Sequence, residues 1–135
     1  MTVLAADRDT PVRDGLLFEF PVAATTKIYA GAIVMLNASG DATKGAAATG
    51  QICVGRAEEL VDNTGGAGAK TVKVRKGVFR WANSASTDAI TKAEIGDTCY
   101  IVDDQTVAKT DATGTRSAAG KIVDVDASGV WVLVA

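Results

Sequence analysis

The chain has 135 residues, 14 basic and 16 acidic for a net charge of −2, no histidine and only 5% aromatic residues. That length suits one domain able to bury a core without metals or several disulfides. The near-neutral balance points to neither nucleic acid nor anionic lipid as a partner, and no apolar run approaches the roughly 18 residues that a membrane span needs.

Residues 1–14 hold Asp7, Arg8, Asp9, Arg13 and Asp14 around Pro11, without apolar periodicity. They read as an extended N-terminal arm ahead of a single β domain, 15–135. A stretch of this composition cannot offset roughly 1–2 kcal/mol of backbone entropy per residue by itself, so its ordering has to come from a neighbour. The first residues also lack the basic n-region and apolar h-region of a secretion signal, so synthesis in a cytoplasm is expected.

Gly15 to Phe20 is the first strand, with Leu16, Phe18 and Phe20 on one face and Pro21 ending it or marking an edge. Ala32 to Leu36 is a second, stopped by the turn residues Asn37 to Asp41. Gln51 to Ala57 follows a Gly/Ala-rich piece, and Asn63 to Ala69 is a glycine-rich hairpin connection without dinucleotide-fingerprint spacing. In Thr71 to Trp81, Val72 and Val74 alternate with Lys73 and Arg75, the period of a half-buried strand. The parity changes at Gly77, so a bulge at Lys76-Gly77 is expected to return Phe79 and Trp81 to the face of Val72 and Val74. Ser84 to Asp88 caps one or two helical turns over 89–93, and little other helix is expected. Ile95 to Val102 and Gln105 to Ala108 form a hairpin about Asp103-Asp104, and Lys121 to Asp126 pairs with Val130 to Val134 about Ala127-Ser128-Gly129. The last strand is apolar throughout, which suggests burial on both faces, one of them at an interface. If only the even-numbered valines face the core, Trp131 and Leu133 are exposed, and such patches mark interfaces.

An offset of 65 residues superposes Gly31 on Gly96, Lys44 on Lys109, Gly55 on Gly120 and Arg56 on Lys121. Each half then reads as glycine, strand, turn, short strand, loop, glycine-basic pair and a Val-rich closing strand, Val72 to Val74 or Val130 to Val134. Two similar meanders closing on one core make an all-β fold, a small sandwich or barrel with at most one short helix.

The missing histidine removes the commonest general base and metal ligand. No nucleophile elbow, phosphate loop or metal-ligand spacing appears, so no catalytic, cofactor or metal residues are assigned and no cofactor is expected. Asp103-Asp104 and Asp124-x-Asp126 are the acidic clusters, read as turn formers without a full oxygen-ligand set for Ca²⁺. Cys53 and Cys99, inside apolar stretches, read as buried thiols. Lys73, Arg75 and Arg80 read as the wet face of a strand.

The runs Val72-Lys73-Val74-Arg75-Lys76-Gly77-Val78-Phe79, Ile95-Gly96-Asp97-Thr98-Cys99-Tyr100-Ile101-Val102-Asp103, Gln105 to Ala108, Ala119-Gly120-Lys121-Ile122-Val123 and the final Val-rich strand resemble the small capsid-decoration (cement) proteins of tailed phages and prophages. Ala30 to Val34 and Val54 to Ala57 fit the same pattern. Cys99 stands where the family has Val, and Lys121-Ile122 where it has small residues. The resemblance covers roughly residues 28–134 and implies a non-enzymatic β domain on the outside of an assembled head. It further implies a homotrimer contacting the major capsid protein and holding capsomers together. Asp7, Arg8, Asp9 and Arg13 of the arm, with Trp131 and Leu133, are then the candidate interface residues. The competing reading is a ligand- or carbohydrate-binding β-sandwich module of a tail or surface protein, against which stands the core-like placement of most Trp and Tyr residues.

Overall fold

A computed structural model describes residues 2–13 and 15–135. The fold is all-β. In chain order the strands are β1 (Leu17–Pro21), β2 (Thr26–Ile28), β3 (Ile33–Leu36), β4 (Ala42–Lys44), β5 (Ile52–Ala57), β6 (Val61–Asn63), β7 (Thr71–Arg75), β8 (Gly77–Asn83), β9 (Thr98–Ile101), β10 (Thr106–Ala108), β11 (Ala118–Asp126) and β12 (Gly129–Val134). Among the described residues the helical content is two single 3₁₀ turns, Ser86–Asp88 and Lys92–Glu94. The first falls in the Ser84 to Asp88 stretch read as a cap. The second carries the capping box, in which Thr91 Oγ1 accepts from Ala93 N and Glu94 Oε2 accepts from Thr91 N,.

The strands form two five-stranded units and a small β2–β6 ladder. The first unit has the order β1-β7-β5-β3-β4, and the second is a closed barrel, β10-β8-β12-β11-β9. Their registers coincide pair by pair. Val34↔Gly55 recurs as Cys99↔Gly120, Leu36↔Ala42 as Ile101↔Val107, and Met35↔Cys53 as Tyr100↔Ala118, each displaced by 65 residues. The outer strands repeat with other displacements because the connecting loops differ in length. Phe18↔Val74 becomes Phe79↔Val132, and Phe20↔Val72 becomes Trp81↔Val130. The parallel contact that closes the second barrel, Asn83↔Val107, has its counterpart in the isolated bridge Val22↔Ala42, which draws the first sheet round in the same sense.

Closure requires β5 and β11 to bend. Each carries a register shift beside its glycine, and a Cβ on Gly55 or Gly120 would overlap the carbonyl oxygen of Arg75 or Leu133 on the closing strand. Only a residue without a side chain lets the two backbones approach so closely.

In place of one shared core there are two clusters. One holds Val22, Ile28, Val34, Ala42, Val54, Val72 and Val74 with their neighbours. The other holds Phe79, Trp81, Cys99, Ile101, Val107, Ile122, Val130 and Val132, joined by Ile33 and Met35 from the outer face of β3. Five short strands have a small interior, so each unit closes largely on its own side chains. The units are then locked to each other by polar contacts. Ile33 N donates to Asp104 O at 2.8 Å, Gln51 N to Ser117 Oγ at 3.1 Å, and Ser117 Oγ to Ala48 O at 2.6 Å.

The parity change at Gly77 is real, but its cause differs from the bulge expected within one strand. The ladder stops at Arg75 and resumes at Gly77, and β7 and β8 belong to different units. Val72, Val74, Phe79 and Trp81 are all buried, yet the valines face the first core and the aromatics the second. β7 uses both its edges on β1 and β5, so the chain must cross over to start the next unit. Gly77 sits at φ +150° at that crossover. A side chain there costs of order 1–3 kcal/mol, so Gly77→Val is expected to lower the melting temperature by roughly 3–10 °C, and calorimetry showing an unchanged Tm would refute the account of the crossover.

Candidate interaction surface

Both units present the outward face of three strands, β1–β7–β5 in the first and β8–β12–β11 in the second, and the shared register pairs these faces position by position. Leu17 corresponds to Val78, Glu19 to Arg80, Lys73 to Trp131, Arg75 to Leu133 and Arg56 to Lys121. The first face is a charge network. Arg56 Nη2 lies 2.6 Å and Arg75 Nε 3.5 Å from opposite oxygens of Glu58, whose carboxyl is held below the usual range by the hydrogen bond from Arg56 and then by the two positive charges. The second face replaces Lys73 and Arg75 with an indole and a leucine. Leu133 (38% exposed) lies opposite Val78 (45%), and the register shift in β11 turns Val123 outward (44%). Large aliphatic side chains adjoining across neighbouring strands are the pattern of a docking surface.

Within β12 the valines at 130, 132 and 134 are buried, Trp131 is half-buried and Leu133 is exposed. Trp131 is fixed in place. Its Nε1 donates to Asp126 Oδ2 at 2.9 Å, and the Arg80 guanidinium lies 5.6 Å from its ring centroid. Asp126 accepts also from Ser128 N and Gly129 N, and these bonds, led by that from Trp131, keep its carboxyl below the ordinary range. On one side of this face Leu133 lines a groove of about 600 Å³ running between the units to Ile52 and Cys53. On the other, Arg56, Val78, Arg80, Trp131 and Gly31 line a second groove of about 440 Å³.

Of the expected arm 1–14, residues 1 and 14 lie outside the described residues. Residues 2–13 have no helix or strand and are exposed throughout, Val3 by 91% and Val12 by 95%. Among the described residues Asp7, Arg8, Asp9 and Arg13 form no ion pair, and the arm's hydrogen bond there is its own, Thr10 N to Arg8 O at 3.1 Å. The structure therefore brings Trp131 and Leu133 together on one face and does not join the arm residues to them. It adds Val78, Arg80 and Val123, which sequence reasoning left out. The signal for Val78 and Arg80 was their alignment with Leu17 and Glu19, visible only once the repeat is extended to its first strand. The basic stripe of Lys73, Arg75 and Arg80 is divided between the two faces.

The acidic clusters act as turn and loop supports. Asp103 Oδ1 accepts from Gln105 N, and Asp124 Oδ1 from Val125 N and Lys92 Nζ. Asp88, outside those clusters, clasps the 109–116 loop. It accepts from Thr110 Oγ1 at 2.6 Å and from Arg116 Nη1 at 2.7 Å, and these bonds, Thr110 first, lower its pKa. Glu94 is lowered in the same sense by its bonds from Thr91 and then by Lys109. Carboxyls with depressed folded values contribute stability that is complete above their ordinary range and is lost as pH falls below about 4. Acidification is therefore expected to free the 109–116 loop before the barrel strands, read as amide exchange quickening there first; simultaneous loss across the second unit would refute the clasp.

Cys99 is buried and its Sγ–H donates to Gly120 O at 3.5 Å, whereas Cys53 is only partly buried. The expectation of two fully buried thiols holds for Cys99 alone, because Cys53 lines the first groove. Burial pushes Cys53 up to about 11, and burial together with the neighbouring Cys53 pushes Cys99 up to about 12. Since thiolate is the reacting form, labelling of native protein at pH 8 is expected to run on the order of a hundredfold slower than for a free thiol, with two equivalents on denaturation; a fast equivalent before unfolding would contradict these environments.

Among the described residues no three His, Cys, Asp or Glu side chains gather as a metal site, and no helix is long and apolar enough to cross a membrane. No family model, curated protein or solved structure matches the chain.

Proposed function

We propose that the chain is a structural capsid-decoration (cement) protein of a tailed phage or prophage. It is made in the host cytoplasm and seated as a homotrimer on the outer surface of the head, where it binds the major capsid protein and stabilises contacts between capsomers. It works by adhesion alone, without catalysis, cofactor, nucleic acid or membrane. The observation that carries the reading is the difference between two faces of one repeat. The same backbone carries Lys73 and Arg75 on one unit and Trp131 and Leu133 on the other. Both faces share one exposed aliphatic position, Leu17 or Val78, and the second adds Trp131 and Leu133 where the first has Lys73 and Arg75, which singles out the second as the surface that another chain covers. The free arm supplies a further contact, since its 12 described residues can extend over ~40 Å. The resemblance to the cement family, over roughly residues 28–134, includes this face.

Burying a side chain such as Leu133 contributes roughly 1.5–3 kcal/mol, so Trp131→Gln with Leu133→Gln is expected to shift the oligomer to monomer at micromolar concentration while keeping the β-sheet circular dichroism. Removing residues 2–14 is expected to weaken co-sedimentation with heads and lower the temperature at which heads fail. Equal head binding and thermal survival with and without the arm, together with a monomeric mass in solution and on heads, would overturn the proposal. Trp131, half-exposed beside Arg80, is the feature that favours the carbohydrate-module reading, and selective binding on a glycan array without binding to heads would establish that reading instead.

A further inference from the structure

The 440 Å³ groove beside β8 is positively charged and incompletely neutralised. Arg56 and Arg80 both line it, while Glu58, the nearest acid shown to pair with either, is shared between Arg56 and Arg75. Arg80 makes no ion pair within 4 Å among the described residues. Asp126, already accepting three hydrogen bonds, lowers its own charge cost partly through Arg80 but does not reach it. The Arg56 guanidinium lies 4.7 Å from the Phe79 ring centroid and that of Arg80 5.6 Å from Trp131's. Ring contacts of this kind hold a guanidinium by its flat face and leave its N–H edge for a carboxylate; Arg80 has no acid within ion-pair distance among the described residues, whereas Arg56 already donates Nε and Nη2 to Glu58 Oε1 and keeps Nη1 for a second acceptor.

The groove lies between the units, with Gly31 and Arg56 from the first and Val78, Arg80 and Trp131 from the second, and its second-unit chemistry has no counterpart in the first. The residue equivalent to Arg80 in the first is Glu19, and that equivalent to Trp131 is Lys73. Along the groove side, β8 has no strand partner before Ala82, where the parallel contact with β10 begins. An extended segment carrying carboxylates two residues apart fits such a cleft. In an extended chain side chains at i and i+2 point the same way, about 6.8 Å apart.

The described residues contain one unanchored stretch of that pattern, Asp7-Arg8-Asp9 in the arm. We infer that the arm of one copy lies in the Arg56–Arg80 groove of a second copy, with Asp7 and Asp9 directed to the two guanidiniums. The inference rests on the self-association proposed above and names the surface through which it operates. The seven residue-to-residue steps from Asp9 to Leu16 reach about 25 Å when extended, enough to cross to a neighbour.

The test uses full-length chains. Arg56→Glu with Arg80→Glu, and separately Asp7→Lys with Asp9→Lys, are each expected to weaken self-association at least tenfold by sedimentation velocity, and the four changes combined in one chain are expected to restore it. A photo-crosslinking residue at position 8, in an equal mixture of ¹⁴N- and ¹⁵N-labelled protein, is expected to give mixed-isotope crosslinks to the Val78–Trp81 segment. Same-isotope crosslinks alone would place the arm on its own body and overturn the inference, as would unchanged association of both charge-reversed proteins or failure of the combined changes to restore it. Head binding is measured in parallel. If it persists while the crosslink is absent, the groove assignment falls and the cement reading stands; if wild-type protein ignores heads while the crosslink forms, the reverse holds.

Discussion

Everything in this fold depends on two backbone-to-backbone approaches, Gly55 against Arg75 O and Gly120 against Leu133 O. A five-stranded sheet of short strands cannot close unless one strand bends sharply, and a bulge with a glycine is the covalently simplest way to bend it. Where the bend occurs, the closing strands β7 and β12 come near enough for β1 and β8 to lie beside them, and the parallel contacts to β4 and β10 follow. The valines of β7 and β12 then point inward because no other residues of those strands reach the interior. The cores, the crossover at Gly77 and the outward placement of Trp131 and Leu133 are consequences of that closure.

The repeat also shows how one backbone arrangement can carry two surfaces of different chemistry. The two outward surfaces share a strand register, so their difference in chemistry lies in the side chains that occupy equivalent positions. Lys73 and Arg75 keep the first surface wet, with Arg75 satisfied by Glu58. Trp131 and Leu133 stand at the same places in the second, one steadied by Asp126 and the other unsupported. An apolar patch larger on one of two equivalent surfaces gives a protein a direction, because a partner gains more by approaching that one.

Much of this was written in the sequence, and its limits have physical causes. β7 with its clean alternation, β12 with its short apolar run, and the hairpin turns at Asp103-Asp104 and Ala127-Ser128-Gly129 were legible because period and turn chemistry are local. The glycine anchors of the repeat were legible too, since a residue without a Cβ at a close approach has no substitute. Two things were not. The parity change at Gly77 looks the same whether a strand bulges or leaves one sheet for another, and only the partners of β7 and β8, distant in sequence, separate the cases. The partition into two cores was hidden for the same reason: Ile33 and Val34 are equally apolar, yet Val34 faces the first interior and Ile33 joins the second. Of the candidate interface, Trp131 and Leu133 followed from alternation, whereas Arg80 needed a neighbouring strand to give it meaning.

The seams that close the two units are short. Each rests on few parallel pairs, with Ala82 N to Gln105 O and Ser84 N to Val107 O in the second and Ala23 N to Ala42 O in the first. Each seam is a zipper: a pull that separates β8 from β10, or β1 from β4, breaks its bonds one after another. A pull along β8 and β12 instead loads five paired positions at once, from Val130↔Trp81 to Val134↔Gly77. The mechanical strength of the molecule is therefore directional, greater when force enters along β12, the strand that carries Trp131 and Leu133, than when it enters across a seam.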